Sequence, residues 1–489
     1  MSKKIANLEP KQLWKKFYIL TQIPRPSKHE EGVRNYFVDF AKRLNLEYFV
    51  DEVGNVILRK PATKGMENRK GVILQGHLDM VPQKNSGTVH DFEKDPIDAV
   101  IDGDWVKAIG TTLGADNGMG VAAAMAILES KNIPHGPIEA LFTVDEETGM
   151  TGASGIKAGI LNGEILMNLD SEDEGELYIG CAGGTNANIT FKYSEVAVPD
   201  DVEAFKLNVT GLKGGHSGVD IHLGRGNSNK MLIRLIWYCT KNFGLRLASI
   251  DGGSLRNAIP RESFAVITVP KDKVAEFQKY LAEYTTLVKK ELSAVEPDMK
   301  IEAVPTDLPK SLIDEKTQKN VLNAIYASPN GVIRMSNEME GLVETSTNLA
   351  TVKSENGIIK IQCLLRSSVD SAKQDLENMM QSVFELADAE VVFDGQYPGW
   401  KPNPVSPILK VMQDIYQKKY GKIPKIKAIH AGLECGLLGG VYPHWDMISF
   451  GPTIRYPHSP DEKVEIKTVQ LFWDFLVETL KNIPLAEVN

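Results

Sequence analysis

Paired cysteines, basic patches, membrane-length apolar runs and a phosphate loop are all missing from this sequence. The four cysteines, Cys181, Cys239, Cys363 and Cys435, have no CxxC spacing. That argues against a thiolate metal site or a disulfide framework, favours a reducing, cytoplasmic setting, and leaves each to act as a small buried hydrophobe. Lys and Arg total 55 against 64 Asp and Glu, a formal charge of −9. With a pI near 5.6, the chain lacks the basic footprint of a nucleic-acid binder. No apolar run approaches a membrane span, and the opening MSKKIANLEPKQLWKKF turns amphipathic without a signal-peptide core, so neither membrane insertion nor secretion is expected. The segment LGADNGMG has glycines but neither the lysine of a phosphate loop nor the spacing of a dinucleotide loop, which argues against a nucleotide cofactor.

What is present is an α/β alternation. With 489 residues the chain exceeds what one core usually supports, so at least two domains are expected. Residues 11–20 and 34–44 carry helical patterns separated by the two-proline turn IPRPSKHE, and 46–58 reads as strands around a turn at 51–55. Three apolar strands then end in GHLDMVP, in Asp145-Glu146-Glu147 and in Asp170, with the alanine-rich helix after Asp116 between the first two. Such spacing predicts a sheet covered by helices on both faces. From about Gly184 to GQYPG the pattern changes to long alternating strands with amphipathic helices and a loose internal repeat, Asn257 with its following strand and helix against Asn348 with its own. After Pro404 the first style returns. The expected architecture is a catalytic α/β domain, residues 1–184 and 401–489, with a mixed sheet flanked by helices, interrupted by an inserted α+β domain over 185–400 that reads as two related halves.

Seven residues carry the chemistry: His77, Asp79, Asp116, Glu146, Glu147, Asp170 and His458. His77 and Asp79 share one side of an extended segment, so one can ligate a metal while the other orients a ring nitrogen. Asp116 precedes a helix start, where amide groups favour a carboxylate, and its two oxygens suit it to bridge two ions. Of Glu146 and Glu147, one can ligate while the other takes a proton from activated water. Any one of these could be a turn cap or an exposed loop residue. Together, acidic stations at several strand ends would repel unless cations neutralised them, and a divalent metal pair performing hydrolysis is the reading that follows.

In the inserted segment, glycines flank His216 in GLKGGHSGVDIHLGRGN. They would allow a close backbone approach to a ligand, with the histidine donating to a developing oxyanion; a glycine-rich hairpin with an exposed histidine is the plainer alternative. Asn257 and Arg366, one in each half of the repeat, could clamp a substrate carboxylate. His29, His90, His135 and His444 have no organised neighbours in the sequence and read as surface or structural residues.

The motifs GHLDMVP, LGADNGMG, FTVDEETGMTGA, LMNLDSE, GGHSGVDIHLGRGN and the Tyr456–Ser459 loop together resemble the di-zinc aminopeptidase, carboxypeptidase and aminoacylase superfamily over essentially the full length. Within it they are most similar to the bacterial aminoacyl-histidine (Xaa-His, β-alanyl-histidine) dipeptidases. The resemblance implies two Zn2+ ions per subunit, replaceable by Mn2+ or Co2+. His77 and Asp170 would hold one ion, Glu147 and His458 the other, and Asp116 would bridge them. Asp79 would orient His77, Glu146 would be the general base, and His216 on a lid formed by the inserted domain would stabilise the tetrahedral intermediate, with Asn257 and Arg366 near the peptide carboxylate. It further implies a small-peptide substrate with a free amino terminus. The insertion is long enough to predict a self-contained site even in a homodimer. An N-acyl amino-acid deacylase would use the same metals and base, and a non-enzymatic metal-dependent interaction module would use the ligands without Glu146.

Overall fold

The computed structural model describes residues 2–486. Strands Val72–His77, Ile138–Thr143 and Ile165–Asn168 are buried along their whole length, as continuous apolar runs are in a parallel sheet covered by helices. Val72–His77 lies between the other two and parallel to both, and Asp446–Ser449 runs parallel beside Ile165–Asn168. Glu47–Val50 and Val56–Lys60 on one flank, and Glu176–Cys181 and Lys425–Ile429 on the other, complete a mixed sheet of eight strands. The first hairpin closes because Asp51 Oδ1 accepts the N–H groups of Val53, Gly54 and Asn55 at 2.8–3.1 Å.

Helix Ala115–Glu129 is apolar on every side and buried as far as Leu128, the pattern of a helix enclosed by the core. Its first residues depart from helical geometry: Asp116 and Asn117 have ψ values of 115° and 29°, so the regular turn starts at Gly118. Glycines let this helix lie directly on the strand ends. A Cβ at Gly76 would meet Asn117 Oδ1, and one at Gly120 would press into the backbone oxygen of Leu169. Asp116 is thereby held at the carboxyl ends of the central strands.

The chain divides into two compact units, one comprising Met1–Gly180, Pro402–Ala428 and Leu433–Asn489, the other Cys181–Lys401 and Ile429–Gly432. The second is α+β and contains a nine-stranded sheet in which each half runs β-α-β-β-α-β, the split β-α-β path. In one half the path is Val202–Thr210, helix Ser228–Phe243, Arg246–Gly252, Ser263–Pro270, helix Val274–Glu291 and Lys300–Pro305. In the other it is Gly183–Lys192, helix Glu315–Ala327, Val343–Glu355, Ile358–Ser367, helix Asp370–Glu385 and Glu390–Tyr397. The halves meet where Asp251 and Gly252 pair with Lys353 and Val352. One hydrophobic core joins them, with Leu232, Ile236, Phe277 and Tyr284 from the first and Leu376, Met380 and Phe384 from the second.

Gly120→Ala forces a methyl against a backbone carbonyl that has no rotamer to escape with. The expected loss is about 1–3 kcal/mol, read as a lower urea midpoint of the metal-free protein; an unchanged midpoint would refute the close approach.

Candidate metal centre

All seven predicted centre residues lie in the first unit and converge. His77 ends its strand, Asp79 and Asp170 follow strand ends by two residues, Glu146 and Glu147 open a short turn after Ile138–Thr143, and His458 sits on the loop between Ile454–Arg455 and Lys463–Glu465. Carboxyl ends of parallel strands are where open α/β sheets place ligands. Asp116 stands between the two histidines, Oδ1 lying 3.1 Å from His77 Nε2 and Oδ2 3.2 Å from His458 Nε2. Asp170 Oδ1 is 3.4 Å from the same His77 nitrogen, and Glu147 Oε2 is 3.0 Å from His458 Nε2. Donor atoms of His77, Asp116 and Asp170 all fall within 4.8 Å of one another, as do those of Asp116, Glu147 and His458. These are two three-residue sets sharing one carboxylate.

The loop backbones are specialised. His458, Tyr456 and Asp145 all have positive φ, 59°, 56° and 53°, a conformation that costs energy for residues with a Cβ and clusters at functional sites. Asp79 does more than orient His77. The His77 Nδ1 faces the Asp79 carbonyl oxygen at 3.1 Å and Oδ1 at 3.3 Å. Asp79 also accepts the Glu146 N–H at 3.0 Å, the Glu147 N–H at 3.2 Å and the Ser27 hydroxyl at 2.8 Å, so one carboxylate braces a histidine and the backbone of both glutamates.

Charge is the dominant feature. Burial pushes the Asp170 carboxyl up to about 8; the His77 charge opposes this, and Asp116 and Glu434 reinforce it. Glu172 is likewise raised to about 8 by burial and by Asp116 and Asp170. Burial raises Glu146 well above the carboxylate range, with His77 opposing and Asp170, Glu434 and Glu147 adding to the effect. Hydrogen bonds from His458 and His77 overcome burial to hold Asp116 low, and hydrogen bonds to Asp116 and Glu147 raise His458 to about 11 against burial. Burial disfavours charge on His77, yet Asp170, Asp116 and Asp79 keep its pKa well above the ordinary value.

Divalent cations fit these residues. Asp170 Oδ1 and Glu147 Oε1 are buried and accept no hydrogen bond among the described residues, although buried carboxylate oxygens are almost always partnered. The donors are imidazole nitrogens and carboxylate oxygens, the set that first-row divalent ions share.

His216, Asn257 and Arg366 lie in the second unit and form a cluster of their own. Gly215 and His216 pair with Ile259 and Ala258, and the Ser217 N–H donates to the Asn257 carbonyl at 2.9 Å. Arg366 donates to Ser217 Oγ at 3.4 Å and to the Tyr397 hydroxyl at 3.1 Å. His216 Nδ1 accepts the N–H groups of Gly218 and Val219 at 3.1 and 3.0 Å. That assigns the ring proton to Nε2, which becomes a donor. Burial and the Arg366 charge lower the His216 pKa, against Asp220, so the ring is neutral.

A family model for peptidase family M20/M25/M40 matches residues 73–482. The chain belongs to that family. It is 48% identical over 482 residues, 98% of this chain and 99% of the relative, to the cytosol non-specific dipeptidase of Escherichia coli K12. It also matches the crystal structure of aminoacylhistidine dipeptidase from Vibrio alginolyticus at 50% identity and a TM-score of 0.94, covering 100% of both chains. Aminopeptidase PepT from Bacillus cereus, at 18% identity and a TM-score of 0.62 over 97% of this chain and 99% of its own, shares the fold. Membership in M20/M25/M40 and the paired ligand sets make the chain a metal-dependent peptidase with a two-metal centre. No helix among the described residues is long and apolar enough to cross a membrane.

Sequence reasoning missed several residues around these clusters. Glu434 accepts from Gln75 Nε2 and from Thr143 Oγ1, and burial lifts its carboxyl to about 7 against the pull of His77. Glu462 accepts backbone N–H groups beside Asp116, and Arg25 donates to the Asp79 carbonyl. In the second unit His430 Nε2 lies 2.7 Å from Ser346 Oγ. Burial, with Arg366, His216 and His222 nearby, drops its pKa to about 3, which keeps it neutral. None of the four stands in a motif whose chemistry is readable without the fold.

Asp79→Ala removes the brace on His77 and on both glutamate amides, and an approximately 10–100-fold fall in metal affinity is expected; isothermal titration on metal-free protein checks it. Metal binding must also displace protons held by His77 and His458, whose pKa values are raised. At neutral pH protons are released and affinity climbs with pH, measurable by calorimetry in buffers of different ionisation enthalpy; net proton uptake would contradict the arrangement.

Proposed function

We propose that the chain is a cytoplasmic dipeptidase that hydrolyses dipeptides with a free amino terminus, Xaa-His and β-Ala-His among them, using two Zn2+ ions per subunit. One observation carries the reading: the two oxygens of Asp116 face two separate histidines, each histidine with its own further carboxylate. His77 and Asp170 are assigned to one ion, Glu147 and His458 to the other, and Asp116 to both; Mn2+ or Co2+ would satisfy the same donors. The substrate class is supported by full-length similarity to proteins described as a non-specific dipeptidase and an aminoacylhistidine dipeptidase.

When bound, a pair of divalent cations acts as a Lewis acid that acidifies water and polarises a peptide carbonyl. Glu146, whose backbone N–H is held by Asp79, takes the proton from the attacking water. Its buried setting favours the protonated form, so it then delivers that proton to the departing amine nitrogen as the C–N bond breaks. His216 presents Nε2–H to the oxygen that gains charge at the carbonyl carbon. Arg366 and Asn257 hold the substrate carboxylate. Arg366 is suited to this because its guanidinium is buried, its Nε lacks an acceptor among the described residues, and its side-chain partners are hydroxyls rather than carboxylates.

The catalytic domain is assigned to residues 1–184 and 401–489, and the inserted residues 185–400 to a lid that excludes water on closing. The lid's two-half build supports a site complete within one chain, whether or not chains pair.

Glu146→Gln is expected to keep two metals and the fold while turnover falls by about 10²–10⁴-fold; unchanged hydrolysis would remove Glu146 from its role. Products identified by mass spectrometry should show cleavage of Ala-His and β-Ala-His with N-acetyl-His intact, and the reverse preference would indicate a deacylase. Mixing His216→Ala with Asp116→Ala should restore no activity if each site is self-contained.

A further inference from the structure

Three chain segments bring the candidate ligands together: the turn after His77, the stretch Leu113–Asp116 before the long helix, and the loop from His458 to Glu462. All three are tied to two buried residues of opposite charge, Arg25 and Glu462, each 2% exposed. Arg25 Nη1 donates to the carbonyl oxygens of Leu78 and Asp79 at 2.9 and 3.0 Å, and Nη2 donates to that of Gly114. Glu462 receives four backbone N–H groups: Leu113 and Gly114 on Oε2 at 2.7 and 2.9 Å, Ala115 and Asp116 on Oε1 at 2.8 and 3.1 Å. The peptide units of 113–116 thus turn amides to the anion and a carbonyl to the cation. Arg25 is also held through its own backbone, its carbonyl accepting the Met80 N–H at 3.1 Å.

The glycines of LGADNGMG acquire a purpose in this light. Gly114 has φ +70°, and a Cβ there would come within 2.7 Å of Arg25 Nη2 and 2.9 Å of Met80 Sδ. A Cβ on Gly118 would meet the same Nη2 at 2.7 Å and the Phe17 ring at 2.9 Å. Both glycines make room for the guanidinium.

We propose that Arg25 and Glu462 form a charge clamp that sets the separation of His77, Asp116 and His458 and so tunes the affinity of the centre for its cations. The proposal rests on the metal-centre reading above. Both side chains hydrogen-bond to the ligand segments through backbone groups, which makes them positioning residues. A buried carboxylate fed by four amides and a guanidinium spanning three carbonyls are each hard to replace. Glu462→Gln would turn an NH2 donor toward two N–H donors, and Arg25→Lys leaves no planar fork to reach both turns at once.

The test titrates metal-free protein with Co2+, following the binding isotherm and the visible absorption of the ion in wild type, Glu462→Gln, Arg25→Lys and Asp116→Ala. The clamp predicts that E462Q and R25K bind Co2+ about 10–100-fold more weakly, with an altered absorption band, and that kcat falls while KM moves less than about three-fold, the split expected when transition-state contacts alone are lost. Wild-type affinity and spectrum in both variants, with D116A losing its ions, would overturn the clamp and leave the metal centre standing. Wild-type ion binding in D116A would instead overturn the metal-centre reading. If neither clamp variant folds, hydrogen exchange on the wild-type metal-free protein decides: amides 113–116 must be strongly protected before any cation binds, and fast exchange there would refute the clamp.

Discussion

Carboxylates buried side by side repel one another, and the first unit gathers Asp79, Asp116, Glu146, Glu147, Asp170, Glu172, Glu434 and Glu462 near one end of its sheet. The cost of keeping such groups ionised away from water rises steeply unless each finds a compensating partner. The compensation differs by residue. Asp79 and Glu462 take backbone amides, Glu434 takes a side-chain amide and a hydroxyl, and Asp116 takes two imidazoles. One oxygen each of Asp170 and Glu147 accepts no hydrogen bond among the described residues. Glu434 Oε1 is likewise without a hydrogen bond among them, but only Asp170 and Glu147 flank Asp116, each sharing a histidine with it.

That distribution depends on a polar layer beneath the centre. Gln75 donates to Glu434 and accepts from Asn168, whose side-chain Oδ1 accepts from Asp170 N–H and the Ser449 hydroxyl. These groups join three neighbouring strands just below the turns that carry His77 and Asp170. These hydrogen bonds tie the strand ends to one another before the loops begin. The repulsion above and the hydrogen-bonded layer below are two halves of one design, a tied floor under a charged rim.

Much of this rim was legible in the sequence because strand ends and helix starts can be read from apolar patterning, and His77, Asp79, Asp116, Glu146, Glu147 and Asp170 occupy those places. His458 was legible mainly by its loop and by resemblance. Arg25 and Glu462 were not, since they act on backbone atoms 53–89 and 346–349 residues away, and backbone partners leave no mark in residue type. The glycines of LGADNGMG were visible, but their purpose depends on a guanidinium from a turn that reads as a mere break between helices. The repeat in the second unit was seen only loosely for a related reason: the first strand of one half, Gly183–Lys192, precedes the entire other half in the chain, so the two paths are not collinear.

The cluster proposed to hold the substrate carboxylate draws on different physics from the metal centre. Around Arg366 the second unit suppresses competing charge: His430 and His216 are both kept neutral by burial and by the guanidinium itself. The contacts Arg366 does make are to neutral hydroxyls. A buried cation surrounded by neutral donors and acceptors gains most from an arriving anion, because no resident carboxylate has to be displaced. Neutral imidazoles and hydroxyls discriminate weakly among uncharged side chains, whereas a buried guanidinium discriminates strongly for a terminal carboxylate. The proposed role of Arg366 would on that basis select the end of the peptide by charge and leave its side chain to be selected by shape.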